Sequence, residues 1–175
     1  MKPLQIMIDI ETLGLTPGAA ILEIAAATFT FEDAEGWEWF NVEIDLLSSL
    51  AAGLTADAGT AAFHLKNGFA GHLRGQALGR AMIALTAWMN ERAATLDRVW
   101  AWGMDFERKM IEGACRALKM DFPWKYSRSA DARTVWNIAF PGKPHAPRKH
   151  RAKDDVIDQI IDLRTAVSQL KGKVP

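Results

Sequence analysis

The spacing of hydrophobic positions changes near residue 50. Apolar runs cover Leu4–Ile10 and Ala20–Phe31, and Glu38–Asp45 alternates apolar and polar residues. Continuous apolar runs and strict alternation both predict β-strands. A Thr-Pro-Gly turn at residues 16–18 separates the first two runs, and the connections are short. We therefore expect the three strands to form an antiparallel meander.

Later in the chain, apolar residues recur every three or four positions, which is typical of helices that bury one face. This spacing predicts helices over Ala58–Asn67, Gln76–Ala94, Asp105–Met120, Asp131–Phe140 and Lys153–Leu170. The compact apolar run Arg98–Trp102 predicts a central strand, and residues 141–151, with three prolines and a glycine, predict a loop. Early strands followed by interleaved helices indicate an α/β fold.

Length and composition restrict the class of protein. The 175 residues, 49% hydrophobic and 24% charged, predict a single globular domain over residues 1–175. One cysteine, Cys115, excludes an internal disulfide and indicates a reducing, cytoplasmic location. We expect no signal peptide and no membrane span. The balance of 21 basic and 21 acidic residues argues against bulk coating of nucleic acid, but not against a local site for a strand end.

Asp9 and Glu11 form the strongest local chemical pattern, at the end of the first apolar run. Residues i and i+2 of a strand point to the same face, so the two carboxylates can converge on one cation. Magnesium and manganese prefer such oxygen ligands. The alternative is that the strand runs into solvent and that both acids are surface charges.

His150 and Asp155 lie where the proline-rich loop meets the last predicted helix. The five-residue spacing places His150 just before the helix and Asp155 in its first turn, so an imidazole can lie beside a metal-bound carboxylate. A neutral imidazole there can take a proton from an attacking water. The alternative for the acid is a helix-dipole role, because aspartate is favoured in first turns.

A third acidic position follows the Arg98–Trp102 strand. Either Asp105 or Glu107 can reach the end of the sheet from the start of the next helix. The alternative for each is an N-cap or a first-turn acid. Asp131, in the Asp-Ala-Arg-Thr stretch, is interpreted as a helix N-cap.

Together, a strand D-x-E, a mid-chain acid at a strand-to-helix junction and a His-x4-Asp resemble the DEDDh (DnaQ-like) 3′–5′ exonucleases. The phage-type, exodeoxyribonuclease VIII-like branch is further resembled by five segments: MIDIETLG, VEIDLLSSLAAGLTADAGT, VWAWGMDFE, FPWKYSRSADARTVW and HRAKDD. The resemblance extends over about residues 4–170. It implies a ribonuclease H-like fold, with a mixed sheet, an antiparallel N-terminal meander and flanking helices.

The resemblance also implies roles for single residues. Asp9, Glu11 and Asp155 match metal ligands, and His150 matches the general base. The family has Phe-Asp where this chain has Phe-Glu, so Glu107 is the aligned fourth acid and Asp105 is its alternative. The implied cofactors are two Mg²⁺ or Mn²⁺ ions, which activate water and stabilise the leaving oxygen.

The implied partner is a nucleic acid with a free 3′ end, with DNA favoured and RNA a close second. A homo-oligomer is a further expectation from the family. A substrate path is suggested by a basic run around His150, formed by Lys143, Arg148, Lys149, Arg151 and Lys153. Two other classes stay open: a catalytically impaired nucleic-acid-binding module, in which the Asp-to-Glu change has removed the metals, and a structural subunit.

Overall fold

In the computed structural model, residues 3–33, 36–66, 75–145 and 147–172 are described. The strands, in chain order, are β1 (Leu4–Thr12), β2 (Ile21–Phe29), β3 (Trp39–Glu43), β4 (Leu96–Ala101) and β5 (Ser129–Asp131). The helices are α1 (Leu46–Ala51), α2 (Ala58–Lys66), α3 (Leu78–Arg92), α4 (Met104–Leu118), α5 (Ala132–Ala139) and α6 (Ala152–Lys171). A short 3₁₀ turn covers Tyr126–Arg128.

The strands form one mixed sheet in the order β3-β2-β1-β4-β5. β1 pairs antiparallel with β2, and β2 with β3, which confirms the predicted N-terminal meander. β4 and β5 add to the other edge in parallel with β1. Parallel pairs need a crossover, and the helices between β3 and β4 and between β4 and β5 provide it. The predicted α/β fold class is therefore confirmed.

Helices cover both faces of the sheet. Successive side chains of β1 point to opposite faces, so Ile6 and Ile8 pack with α3 and α4, whereas Met7 packs with α6. β2 is buried along its whole length. Asp9 and Glu11 continue the row of Met7, so both acids lie on the face of the sheet that α6 covers.

Most predicted elements are present with shifted ends. β4 begins at Leu96 and ends at Ala101, so Trp102 lies just outside the strand predicted over Arg98–Trp102. The predicted end of α2 at Asn67 lies outside the described residues. One α-helix and one strand were missed. The sequence pattern did not reveal α1, which has only six residues, or β5, whose three residues become a strand only by pairing with β4.

The topology brings several element ends to one place. β1 and β4 run parallel, so their carboxyl ends meet at the same edge of the sheet, where α4 also begins. In α/β sheets such an edge is the usual place for a ligand site. None of the helices among the described residues is both long and apolar enough to span a membrane.

Candidate active site

β1 places Asp9 and Glu11 side by side at the carboxyl end of the sheet. Their side chains project to one face, and they are only 8% and 7% exposed. In the register of the sheet, Asp9 lies opposite Ala25 and Glu11 opposite Glu23 of β2. The alternative of two solvated surface acids is wrong, because burial excludes bulk water from both carboxylates.

α4 places Glu107, and not Asp105, at this edge. Glu107 is 6% exposed and lines the same cleft as Asp9 and Glu11. The Asp105 side chain is 84% exposed and accepts a hydrogen bond of 2.6 Å from Lys109 Nζ on the outer face of the helix. Of the two acids left open by the sequence, Glu107 is therefore the one that faces the other carboxylates.

α6 adds Asp155 in its first turn. The carboxylate accepts two backbone N–H groups: that of Lys149 at Oδ1 (2.8 Å) and that of His150 at Oδ2 (3.1 Å). Asp155 is 3% exposed. These bonds hold the loop just before α6, where His150 adopts a left-handed backbone conformation with φ of 56°. Asp155 thus fixes the position from which the imidazole projects.

The His150 side chain is exposed at the mouth of the cleft. Its ring meets the ring of Phe63 edge to face, with centroids 4.9 Å apart. One ligand atom each of Glu11, His150 and Asp155 lie within 4.8 Å of one another. The structure therefore brings together all the predicted site residues, with the imidazole at the open side of the carboxylates.

Gln159 belongs to the site although sequence reasoning missed it. It follows Asp155 by one helical turn, is 2% exposed, and donates a hydrogen bond of 2.7 Å from Nε2 to Oδ1 of Asp9. The i, i+4 spacing from Asp155 was the available signal, because residues four apart share one helix face. Gln159 orients the Asp9 carboxylate from the α6 side.

Glu23 is a fifth buried acid that the sequence pattern did not single out. It interrupts the apolar run of β2, lies directly opposite Glu11, and is 6% exposed. Its Oε2 accepts the backbone N–H of Ala152 at 3.2 Å. The first N–H groups of a helix lack partners within the helix, so Glu23 ties the start of α6 to the sheet.

His64 lies beside Glu11 in the wall of the cleft. It is buried, and its Nε2 is 2.9 Å from the carbonyl oxygen of Thr12 and 3.9 Å from Oε2 of Glu11. Because the carbonyl can only accept, Nε2 carries the proton. Burial lowers the pKa of His64, although the Thr12 bond opposes this effect. These contacts are typical of a buried packing residue.

The buried carboxylates raise one another's affinity for protons. Burial, with the neighbouring Asp155, raises the pKa of Asp9 to about 7, while the Gln159 hydrogen bond opposes the shift. Burial and the charge of Asp9 raise the pKa of Glu11 to about 8. Burial also raises the pKa of Glu107 well above its ordinary value. The nearby arginines oppose these shifts only in part, so the negative charge of the site is not fully compensated.

This set of residues fits divalent cations. Glu107 Oε2 is buried and has no hydrogen-bond partner among the described residues, although buried polar atoms are rarely left without one. Oxygen donors from carboxylates are the ligands that Mg²⁺ and Mn²⁺ prefer. A cation between Asp9, Glu11, Glu107 and Asp155 would satisfy this oxygen and remove the mutual repulsion.

The acids form the floor of a cleft of about 660 Å³. Leu15, Phe63 and Phe106 are among the apolar residues of its lining, and Leu15 is 77% exposed. The volume lies within the range of small-molecule sites. The cleft thus combines an acidic floor with apolar walls, which suits a ligand that has both a charged and a flat apolar part.

Two residues of the basic run around His150, which the sequence suggests as a substrate path, form ion pairs within the chain. Arg148 Nη2 pairs with Asp162 Oδ2 at 2.9 Å, and Lys149 Nζ lies 3.7 Å from Asp158 Oδ2. Lys153 lies over a tryptophan ring. The two aspartates lie one turn apart on α6, where the linear sequence gave no sign that the loop would pack on them. Two of the five basic residues are therefore paired with acids of the same chain.

A model of the 3′-5′ exoribonuclease Rv2179c-like domain matches residues 4–167. No curated protein sequence matches the chain. Among solved structures, the nuclease domain of 3′hExo, a DEDDh family member bound to rAMP, is 13% identical with a TM-score of 0.68. The match covers 98% of this chain and 94% of that domain.

Two further structures have the same architecture. E. coli exonuclease I in complex with an oligonucleotide is 13% identical with a TM-score of 0.66, over 93% of this chain and 40% of that one. A 3′-exonuclease that recognises the histone mRNA stem-loop is 11% identical with a TM-score of 0.64, over 98% and 83%. This chain thus spans less than half the length of exonuclease I.

At these identities the structural matches show the fold alone, and they confirm the ribonuclease H-like architecture of DEDDh exonucleases. They do not confirm the narrower, exodeoxyribonuclease VIII-like branch. The family model covers most of the sequence and includes every acid of the cleft. The chain therefore belongs to the Rv2179c-like family of 3′-5′ exoribonucleases, and it is an exonuclease of the hydrolase class.

Proposed function

We propose that the chain is a divalent-metal-dependent 3′–5′ exonuclease, acting as a single catalytic domain that removes nucleotides from the 3′ end of RNA. The observation that supports this most strongly is the convergence of Asp9, Glu11, Glu107 and Asp155, all buried at one edge of the sheet beside His150. Four buried carboxylates whose charge is only partly compensated are costly in a fold, and a metal-dependent reaction accounts for them.

The four acids would hold two Mg²⁺ or Mn²⁺ ions. When bound, such ions lower the pKa of water and stabilise the charge on the leaving 3′ oxygen. Asp155 is fixed for this role by two backbone N–H groups, and Asp9 by the amide of Gln159. Partners that orient ligating groups in this way are typical of metal centres.

His150 would act as the general base. Its ring lies at the open side of the cleft, within reach of the space in front of Glu11 and Asp155. In the neutral state the imidazole can accept a proton from the attacking water, and solvent can then remove that proton because the ring is exposed. A protonated ring cannot accept, so acid conditions should stop the reaction.

The substrate assignment departs from the sequence-based preference for DNA. The description of the family as exoribonucleases favours RNA, and DNA becomes the second substrate. The narrower resemblance to the exodeoxyribonuclease VIII-like branch, which favoured DNA, stays a prediction, as does the homo-oligomer. Relative rates on RNA and DNA of the same sequence decide between the two substrates.

The test is a time course with 5′-labelled, single-stranded and duplex RNA and DNA, with Mg²⁺, Mn²⁺ or chelator. We expect a ladder of products that shorten from the 3′ end, faster on RNA, and no products with chelator or with Asp9→Asn. A folded protein that binds the strands without shortening them would support the alternative, a nucleic-acid-binding module. Shortening from the 5′ end would contradict the proposal.

A further inference from the structure

The positive residues of the cleft are few. Of the described residues that line it, Arg133 and Arg148 have guanidinium groups, and none is a lysine. Arg148 is engaged, because it pairs with Asp162 and its guanidinium stacks 4.3 Å from the ring centroid of Trp102. Arg151, which also influences Glu11, lies outside the cleft lining. Arg133 is therefore the arginine of the cleft lining that has no carboxylate partner among the described residues.

Arg133 projects from the first turn of α5 over the start of α4. Asp131 joins these two helix ends, because Oδ1 accepts the N–H of Thr134 (2.7 Å) and Oδ2 that of Met104 (2.8 Å). The Arg133 side chain is exposed and forms no hydrogen bond or ion pair within the described ranges. The helix junction thus aims an available cation at the cleft.

Because Gly103 has no side chain, it leaves room for the guanidinium of Arg133. A β-carbon at position 103 would lie 2.8 Å from Nη2 of Arg133 and 3.9 Å from Oε2 of Glu107. The guanidinium and the fourth acid therefore both approach the same point of the backbone. The charge of Arg133 also lowers the pKa of Glu107, against the stronger effect of burial.

The charge balance of the cleft calls for one further positive group near the substrate. The four carboxylates balance two divalent ions, so a phosphodiester that enters the cleft adds one uncompensated negative charge. His150 must be neutral to accept a proton, and Arg148 is neutralised by Asp162. We propose that Arg133 binds a non-bridging oxygen of the phosphodiester that is cleaved and stabilises the charge that builds up on it. This inference rests on the proposed function.

Steady-state kinetics of Arg133→Ala, Arg133→Gln and Arg133→Lys test the role. Two substrates are compared: an RNA oligonucleotide and a p-nitrophenyl nucleoside 5′-phosphodiester, which has a single phosphodiester group. We expect Arg133→Ala to lower kcat/KM about 100-fold on both. Free guanidinium, at non-denaturing concentration, should restore part of the loss in Arg133→Ala and nothing in the wild type. Arg80→Ala, on an exposed face of α3 outside the cleft, is the control.

Gly103→Ala provides a second test that keeps the charge. Its β-carbon would displace the guanidinium, so kcat/KM should fall although Arg133 is still present.

Activity of Arg133→Ala within about threefold of wild type would overturn the inference, since one lost charged contact is worth more than that. A loss confined to the oligonucleotide would also overturn it, because Arg133 would then contact a different phosphate.

A binding measurement separates this inference from the proposed function. In a His150→Ala background, the salt dependence of RNA binding should weaken by about 0.7 in log–log slope when Arg133 is also replaced by alanine. An unchanged slope would contradict the phosphate contact. If the wild type has no nuclease activity, the proposed function fails, and the slope still decides whether Arg133 binds phosphate.

Discussion

Glu107 and Asp105 lie two positions apart in α4, and the helix directs them to different surroundings. Residues two positions apart are separated by about 200° around the helix axis. Asp105 therefore faces solvent beside Lys109, while Glu107 is buried in the cleft. The DEDDh pattern that the sequence resembles has aspartate at the corresponding position. The longer glutamate side chain still ends among the acids, with Oε2 free of hydrogen bonds from the described residues.

Replacing Glu107 by glutamine should lower kcat/KM about 10²- to 10³-fold, because an amide keeps the shape and loses the charge that a cation requires. Steady-state rates on labelled RNA measure the effect. Asp105→Asn is the matched control on the same turn, and we expect its rate to equal that of the wild type. Equal losses in both variants would show that the effect belongs to the helix and not to the cleft.

Replacing His150 by asparagine should lower kcat about 10²- to 10⁴-fold, the range for loss of a general base. The affinity for Mn²⁺, measured by calorimetry, should change little, because four carboxylates remain. His150 is close enough to Glu11 and Asp155 to act instead as a ligand. A large fall in Mn²⁺ affinity would assign it that role and remove the base from the mechanism.

At the scale of elements, the site depends on how the loop before α6 is held. Asp155 binds two backbone N–H groups of this loop, and Glu23 binds the first N–H of α6 from β2. Arg148 fixes the loop from the other side through Asp162, and both side chains of this pair are at most 14% exposed. The position of His150 is thus set by three contacts of neighbouring residues.

Asp162→Ala should lower the free energy of unfolding by about 3 kcal/mol, because it leaves the buried guanidinium of Arg148 without its partner. We also expect kcat to fall, since the loop before α6 loses one anchor. Asp158→Ala is the control: its partner Lys149 is 58% exposed, and the change should stay below about 1 kcal/mol. Chemical denaturation measures the free energy of unfolding of both variants. Equal effects would show that the Arg148 pair is no anchor.

For the whole molecule, the raised pKa values of Asp9 and Glu11 link stability to pH. The folded, metal-free protein retains protons that the unfolded chain has released, so its stability falls as pH rises towards these values, about 7 and 8. The lowered pKa of His64 acts in the opposite direction, but only below the ordinary histidine range. Above about pH 6.5 the acids determine the slope.

Between about pH 6.5 and pH 8, the free energy of unfolding of the metal-free protein should fall by about 2 kcal/mol. Saturating Mg²⁺ should raise Tm more at the higher pH, because protons compete with the metal for the same oxygens. Denaturation with and without chelator measures both effects. Asp9→Asn should reduce both the fall in the free energy of unfolding with pH and the rise in Tm with Mg²⁺. A rise in Tm with Mg²⁺ that is the same at both pH values would contradict this explanation.

The elements and site residues that could be predicted from the sequence are those with a regular spacing of apolar or acidic residues. The apolar runs gave β1 and β2, and the D-x-E spacing placed Asp9 and Glu11 on one face. Tertiary contacts supplied the rest. Gln159 and Glu23 belong to the site only because α6 packs across β1 and β2, and β5 is a strand only because β4 lies beside it. The ion pairs of Arg148 and Lys149 could not be predicted from sequence, since their partners lie on α6.

We expect the four buried acids to hold two metal ions. The most direct measurement is anomalous diffraction from crystals soaked in Mn²⁺ with a mononucleotide product. We predict two peaks about 3.5–4 Å apart, bounded by Asp9, Glu11, Glu107 and Asp155, with the phosphate against them. Absence of manganese from this cleft at saturating concentration, in crystals of active protein, would contradict the claim.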